Sequence, residues 1–195
     1  MSTPLPLRIA DWSGQQLASN LAAGAVVVDY GAACARIRVP DALPSFLHAF
    51  ATVYQNFPAW CREERPFADF HIEMQASKGV RRWWRPQVHF AIDGIRPFEP
   101  FSDANALPHY EWGLNWSFGQ RCNQYVLLHA GAVSEASRAV IMAAPPGSGK
   151  STLTAALMLS GMRLLSDEFG VVCPQSGLLK AMLKPVALKN EAIDV

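Results

Sequence analysis

Residues 143–152 of this chain read AAPPGSGKST, and this glycine-rich stretch restricts the possible folds more than any other part of the sequence. The apolar run 139–142 precedes it, and the run 153–159, which has helical character, follows it. A tight loop between a strand and a helix directs successive backbone N–H groups and the positive end of the helix dipole at one point. That arrangement attracts a polyanion, so the stretch predicts a phosphate-binding loop.

The side chains of the stretch fit the pattern GxxxxGK(S/T), except that Ala144 stands where the first glycine is usual. Alanine fits there when its φ is negative. In this pattern the lysine supplies a positive charge for the β- and γ-phosphates of a nucleotide, and the hydroxyl that follows it is a ligand for Mg²⁺. The alternative is a plain turn with an incidental lysine. The residues expected to contact the nucleotide are Pro146, Gly147, Ser148, Gly149, Lys150, Ser151 and Thr152.

Composition limits the other classes of function. The chain has 195 residues, half of them hydrophobic and 17% charged, so it can bury a substantial core. Its net charge of +1 gives no reason to expect a nucleic-acid partner. No apolar run is long enough to span a bilayer and no signal peptide is recognisable, so no membrane partner is expected. The four cysteines form no CxxC pair, which favours a reduced, cytoplasmic setting over a zinc site or a disulfide framework.

The first hundred residues predict a smaller α+β region. Its expected elements, in chain order, are a helix over 12–23, a hairpin over 25–39, a helix from 39 to 58, and strands of period two over 70–75 and 88–93. If the last two strands pair, His71, Glu73 and His89 share a polar face, which is either a metal site or a solvated sheet surface. The connecting segment 81–86, RRWWRP, is either a loop tip or a surface for an acidic or peptide partner.

The remaining residues predict a second, α/β region around the glycine-rich stretch. Its expected elements are a helix over 105–118, strands over 125–133 and 138–143, the loop, a helix that ends at Gly161, and strands over 163–172 and 184–190. The sequence stops at Val195, soon after the last of these strands. A fragment of a longer chain is therefore one interpretation.

The acidic pair Asp167 and Glu168 follows the loop at a spacing that fits one helix and one returning strand. Asp167 comes 17 positions after Lys150, which is enough for one helix, a turn and one short strand. A strand that returns beside the loop strand brings Asp167 and Glu168 to the same edge of the sheet as the phosphates. Carboxylates there can hold Mg²⁺ or take a proton from an attacking hydroxyl. His129 lies on the strand before the loop strand and is either an ordinary core histidine or a member of this site.

Three motifs together resemble the HPr kinase/phosphorylase family: LHAGAV at 128–133, the loop itself, and GMRLLSDE at 161–168. The motif EWGLNW at 111–116 is similar to the HPr kinase-related proteins found near peptide-modifying genes. The resemblance covers about residues 105–195. It implies a mixed-sheet P-loop core of the kind shared with phosphoenolpyruvate carboxykinases over 101–195, truncated at its C-terminus, preceded by the α+β region 1–100.

The resemblance also implies roles for individual residues. It places the catalytic histidine at His129, the loop lysine at Lys150, the metal ligands at Ser151 and Asp167, and the catalytic acidic pair at Asp167 and Glu168. In the family this pair is usually two aspartates, so which of the two residues is the base stays open. A further metal-binding glutamate of the family has no clear counterpart, and Glu191 is only a nearby candidate.

The expected function is therefore an ATP- and Mg²⁺-dependent kinase that phosphorylates a serine or similar hydroxyl of a protein or peptide. A nucleotide-binding regulatory or scaffold module without transfer activity is the alternative. A transport-type ATPase is disfavoured, because those families place the acidic residues many tens of positions beyond the lysine. Homo-oligomerisation, and pyrophosphate instead of ATP as the donor, are left open.

Overall fold

The computed structural model describes residues 5–41, 43–61, 63–64 and 67–186. The protein is of mixed α/β class, and its larger sheet contains both parallel and antiparallel strand pairs. The chain divides into two compact units, Met1–Asp29 with Ala33–Arg121 and Tyr30–Ala32 with Cys122–Val195. The sequence, by comparison, suggested a division after residue 100.

The first unit is a seven-stranded sheet with three helices. Its strands are β1 (Leu7–Arg8), β2 (Val26–Asp29), β3 (Cys34–Arg38), β4 (Pro58–Cys61), β5 (Phe70–Ala76), β6 (Gln87–Ile92) and β7 (Phe101–Ser102). They lie in the order β1-β4-β2-β3-β5-β6-β7, in which β3 and β5 are parallel and the other neighbours are antiparallel. The helices are α1 (Gly14–Ala22), α2 (Pro44–Val53) and α3 (Ala106–Arg121).

Helix α3 forms much of the core of this unit. It packs on β5, β6 and α2. Tyr110 meets Phe50 and Phe46 edge to face, with ring centroids 5.6 Å apart in each pair, and all three rings are fully buried. Such edge-to-face contacts between buried rings stabilise the core beyond the area that they bury.

His109, one residue earlier on α3, is also buried and stacks on Phe101 at 4.5 Å. Burial lowers the pKa of His109, which favours the neutral imidazole.

The polar face predicted for β5 and β6 is present, but its side chains pair with other partners. His71 Nδ1 lies 3.3 Å from Asp93 Oδ1, and His89 Nε2 lies 3.0 Å from the Ser77 hydroxyl. Glu73 forms an ion pair with Arg38 at 3.3 Å on the neighbouring strand. Within the described ranges no three acidic, histidine or cysteine side chains come together as a metal site. On this face His71 is exposed, and Glu73 and His89 are partly exposed.

The second unit is built on one long strand, β8 (Val126–Glu135). Strand β9 (Arg138–Ala143) forms a hairpin with it, as the sequence predicted, and β10 (Arg163–Ser166) and β11 (Phe169–Val172) pair with it as well. The short strand β12 (Leu179–Lys180) follows β11. Helix α4 (Lys150–Leu159) packs on β8. Every strand pair of this unit in the described part of the chain is antiparallel, whereas the resemblance implied a mixed sheet here; the parallel pair, β3 with β5, lies in the first unit.

The segment that follows β12 is bonded to residues 30–32, which belong to the same unit. Leu183 N donates to Tyr30 O at 2.8 Å, and Met182 N donates to Leu165 O at 2.8 Å. Of the predicted strand 184–190, residues 184–186 have no regular secondary structure and 187–190 lie outside the described residues, as does Glu191. No helix in the described ranges is both long and apolar enough to cross a bilayer.

Two glycines of α3 provide a matched test of how this helix packs on β6. A Cβ on Gly113 would lie 2.3 Å from the Phe90 ring, whereas a Cβ on Gly119 would have no atom within 4 Å outside its own helix. We expect Gly113→Ala to lower the free energy of unfolding by about 1–3 kcal/mol, because a side chain must be forced into a filled core. Gly119→Ala should instead raise it by about 0.5–1 kcal/mol, the helix preference of alanine over glycine.

Urea denaturation of the two purified variants and the wild type measures both effects. Equal effects of the two substitutions would contradict the close contact between α3 and β6.

Candidate functional site

The glycine-rich loop connects β9 to α4 in the order that the sequence predicted. Gly147 and Gly149 have φ angles of +79° and +86°, in the left-handed region that favours glycine. Residues 145–149 are exposed, and α4 begins directly after them with Gly149 as its N-cap. Gly149 has no side chain that could cap this end of the helix, so the first N–H groups of α4 lack the acceptor that an N-cap side chain supplies.

Lys150 folds back over its own loop. Its Nζ atom donates to the carbonyl oxygens of Ala144 at 2.7 Å and Pro145 at 3.3 Å. The Ser148 hydroxyl donates to the same Pro145 oxygen at 2.7 Å. A phosphate group would therefore compete with backbone carbonyls for the Lys150 ammonium, and a charged oxygen is the stronger acceptor.

The position of α4 depends on a close contact with β8. Thr154, on the second turn of α4, is completely buried, and a Cβ added to Gly131 of β8 would lie 2.4 Å from Thr154 Oγ1. Only glycine allows the helix to come this close to the strand. The contact fixes the start of α4, and with it the glycine-rich loop, relative to the neighbouring strands.

Strand register brings the predicted site residues to one edge of the sheet. On one side of β8, Ala130 pairs with Ala143, the last residue before the loop. On the other side, His129 pairs with Phe169, the residue after the acidic pair. Strands β9 and β10 both run antiparallel to β8, so both reach this edge at their C-terminal ends.

The acidic pair occupies an interruption between β10 and β11. The Ser166 hydroxyl accepts hydrogen bonds from Glu168 N at 3.2 Å and Phe169 N at 3.0 Å, and Ala130 N donates to Glu168 O at 3.2 Å. These bonds hold an irregular turn in what otherwise is one continuous strand. The two acids consequently differ in environment: Asp167 is 6% exposed, whereas the Glu168 side chain is 35% exposed.

Burial raises the pKa of Asp167, and the neighbouring carboxylate of Glu168 adds to the rise. The Ser151 hydroxyl and the Lys184 ammonium act in the opposite direction without overcoming it. Ser151 and Asp167 are thus close enough to act on one another. Asp167 Oδ1 and Thr154 Oγ1, however, are buried without a hydrogen-bond partner among the described residues. An unsatisfied buried carboxylate oxygen is costly, and a bound cation is one way to satisfy it.

His129 and Glu168 form the exposed part of the cluster. His129 Nδ1 lies 3.9 Å from Glu168 Oε2, and the side chains are 57% and 35% exposed. The imidazole can therefore orient this carboxylate while both groups stay accessible to an incoming molecule. His129 is exposed and is therefore not the core histidine of the first interpretation.

The structure places the predicted residues around one edge: His129 on β8, residues 146–149 in the loop, Lys150, Ser151 and Thr152 in the first turn of α4, and Asp167 and Glu168 between β10 and β11. Sequence reasoning missed three further residues, Gly131, Ser166 and Lys184. Ser166 had a signal, a hydroxyl directly before two acids in an apolar strand. Lys184 had none, because its burial and its effect on Asp167 depend on the fold.

The raised pKa of Asp167 predicts that the free energy of unfolding decreases as the pH rises. Because the folded state binds this proton more tightly than the unfolded chain does, stability is lost as the pH rises from the ordinary aspartate pKa through the raised one. Asp167→Asn, which stays neutral, should melt at a higher temperature than the wild type at neutral pH without Mg²⁺ or nucleotide. The difference should shrink as the pH approaches about 4.

Thermal denaturation across this pH range is the measurement, and Glu135→Gln, which neutralises an exposed carboxylate of the same unit, is the control. A lower melting temperature for Asp167→Asn at neutral pH would contradict the buried, unsatisfied carboxylate.

No protein-family model, curated protein or solved structure matches this chain. The resemblance to the HPr kinase/phosphorylase family therefore rests on the three sequence motifs alone.

Proposed function

We propose that this protein is a kinase of the HPr kinase type, which transfers the γ-phosphate of ATP to a serine or similar hydroxyl of a protein or peptide. The second unit would then be the P-loop core of that family. One observation carries the proposal: the glycine-rich loop, the acidic pair and His129 lie at the same edge of one sheet. A glycine-rich loop alone would account only for the binding of an anion. The nearby carboxylates add a metal ligand and a base, which phosphoryl transfer needs.

The loop and the first turn of α4 would hold the triphosphate. The open N–H groups of this turn and the helix dipole favour a polyanion, and Lys150 would leave its carbonyl partners for the β- and γ-phosphates. Residues 146–149 and Thr152 would contribute contacts around them. A cytoplasmic location, where ATP is abundant, fits this proposal.

The oxygen ligands at the site fit a magnesium ion. Asp167 has a buried oxygen without a hydrogen-bond partner, and the Ser151 hydroxyl lies beside it. Mg²⁺ in such sites takes one or two protein oxygens and completes its shell with phosphates and water, so no larger cluster of acids is required. When bound, it would neutralise charge on the phosphates.

Glu168 is the better candidate for the base, because its carboxylate is accessible and lies beside His129, whereas Asp167 is buried beside Ser151. In the proposed step the acceptor oxygen attacks the γ-phosphorus, and the bond from that phosphorus to the bridging oxygen breaks. ADP leaves with the electron pair of the broken bond, and the acceptor proton passes to Glu168.

Nucleotide binding and transfer can be separated experimentally. Calorimetry with Mg²⁺ and ATP measures binding, and incubation of a serine-peptide pool with γ-labelled ATP measures transfer. We expect Lys150→Ala to lose both, because the phosphates lose their cation. Glu168→Gln should bind ATP nearly as the wild type does, while its transfer rate falls by about a hundredfold or more, the typical contribution of a general base.

Lys180→Ala and Glu135→Gln, which remove exposed charges of the same unit, are the matched controls and should leave both quantities unchanged. Normal transfer by Lys150→Ala would reject the kinase. Normal transfer by Glu168→Gln would reject this residue as the base. Transfer from pyrophosphate but not from ATP would reject ATP as the donor.

The second candidate is a nucleotide-binding module without transfer activity. The contacts of Lys150 with its own loop favour it, because a lysine held by two carbonyls is less available to the γ-phosphate. Wild-type protein that binds ATP but phosphorylates no peptide in the pool would support this candidate over the kinase.

A further inference from the structure

The connection between β5 and β6 exposes an unusual combination of side chains. The last hydrogen bond of the hairpin runs from Ser77 N to Gln87 O at 2.8 Å, and all nine residues beyond it, 78–86, are exposed. We call this segment the basic tip. It holds three large apolar side chains with high exposure, Val80 at 72%, Trp83 at 83% and Trp84 at 60%. Exposed tryptophans beside a valine are not needed for the core, so a role outside it is indicated.

All charged side chains of the basic tip are positive. Its cations are Lys78, Arg81, Arg82 and Arg85, and no acidic residue occurs between Glu73 and Asp93. Like charges this close repel one another, so the cluster is costly unless it meets a negative partner. The proposed phosphate site, which lies in the other unit, does not use these residues.

Arginines and tryptophans of the tip contact one another. The Arg82 guanidinium lies 5.8 Å from the centre of the Trp83 ring, and those of Arg81 and Arg85 lie 5.7 Å and 5.1 Å from Trp84. Cation–π contacts of this kind hold the guanidiniums and the indoles together. The tip therefore presents a preassembled surface in which indole rings and positive charges lie in contact.

We propose that the basic tip binds the surface of a bilayer that contains anionic phospholipids. Indole rings partition to the boundary between headgroups and acyl chains, and neighbouring lysines and arginines are attracted to anionic headgroups. A tip at the end of a hairpin suits a flat, extended partner, whereas a peptide is usually bound in a groove or along a sheet edge. No membrane partner was expected from the sequence because no span is present, but binding at the surface does not require a span.

Co-sedimentation of the full chain with vesicles tests the proposal. The vesicles are phosphatidylcholine alone, or phosphatidylcholine with a third of phosphatidylglycerol. We expect at least about tenfold stronger binding to the anionic vesicles, and a loss of that advantage at high salt. Arg81→Glu with Arg82→Glu should weaken binding by about 25-fold or more, because each cation contributes about fivefold near an anionic surface. Trp83→Ala with Trp84→Ala should weaken the vesicle binding that remains at high salt, because indole insertion dominates under that condition.

Two controls change exposed residues elsewhere. Arg138→Glu with Lys180→Glu makes the same change in net charge, and Leu159→Ala removes an apolar side chain that is 75% exposed. Both should bind vesicles as the wild type does. ATP binding by every variant should equal that of the wild type, so this test is independent of the kinase proposal.

Three results would overturn the proposal: no binding to anionic vesicles, binding that the tip substitutions leave unchanged, or capture of a polyglutamate peptide without capture of vesicles. The last result would assign the tip to an acidic polypeptide, the partner considered for this segment from the sequence.

Discussion

The close approach of helix α4 to strand β8 is the contact on which the candidate site depends. Gly131 leaves room for the buried side chain of Thr154, and any larger residue at 131 would push the helix away from the strand. Because α4 starts directly after the glycine-rich loop, the contact also sets the distance from the loop to the next residues along β8. One of these is His129, which pairs opposite the end of the acidic turn. The absence of a side chain at Gly131 thus fixes the position of the glycine-rich loop relative to the carboxylates.

The two acids show how one strand interruption creates two chemical environments. Ser166 turns the backbone, so consecutive side chains no longer alternate regularly across the sheet. Asp167 enters the core, where burial raises its pKa, and Glu168 stays at the surface beside His129. A buried carboxylate with an unsatisfied oxygen is costly to the stability of the fold.

Much of this arrangement could be predicted from local patterns. Period-two alternation identified β5 and β6, helical spacing identified α3, and the motif around Lys150 identified the loop. Long-range pairing could not be predicted: the parallel contact of β3 with β5 joins segments separated by a helix and by β4. Strand β4 was missed because Pro58 reads as a terminator, although proline is tolerated as the first residue of a strand. The interruption at 167–168 was missed because the apolar residues on both sides read as one strand.

The most direct test of a shared site is the coupling between metal and nucleotide. Mn²⁺ can replace Mg²⁺ and be followed by electron paramagnetic resonance, with and without ATP, in the wild type and in Ser151→Ala. If the loop, Ser151 and Asp167 face one bound nucleotide, ATP should strengthen Mn²⁺ binding beyond its affinity for free ATP, and Ser151→Ala should weaken that binding by about tenfold or more. Mn²⁺ binding that is indifferent to ATP, or equal in the two proteins, would contradict a common site for the phosphates and the acidic pair.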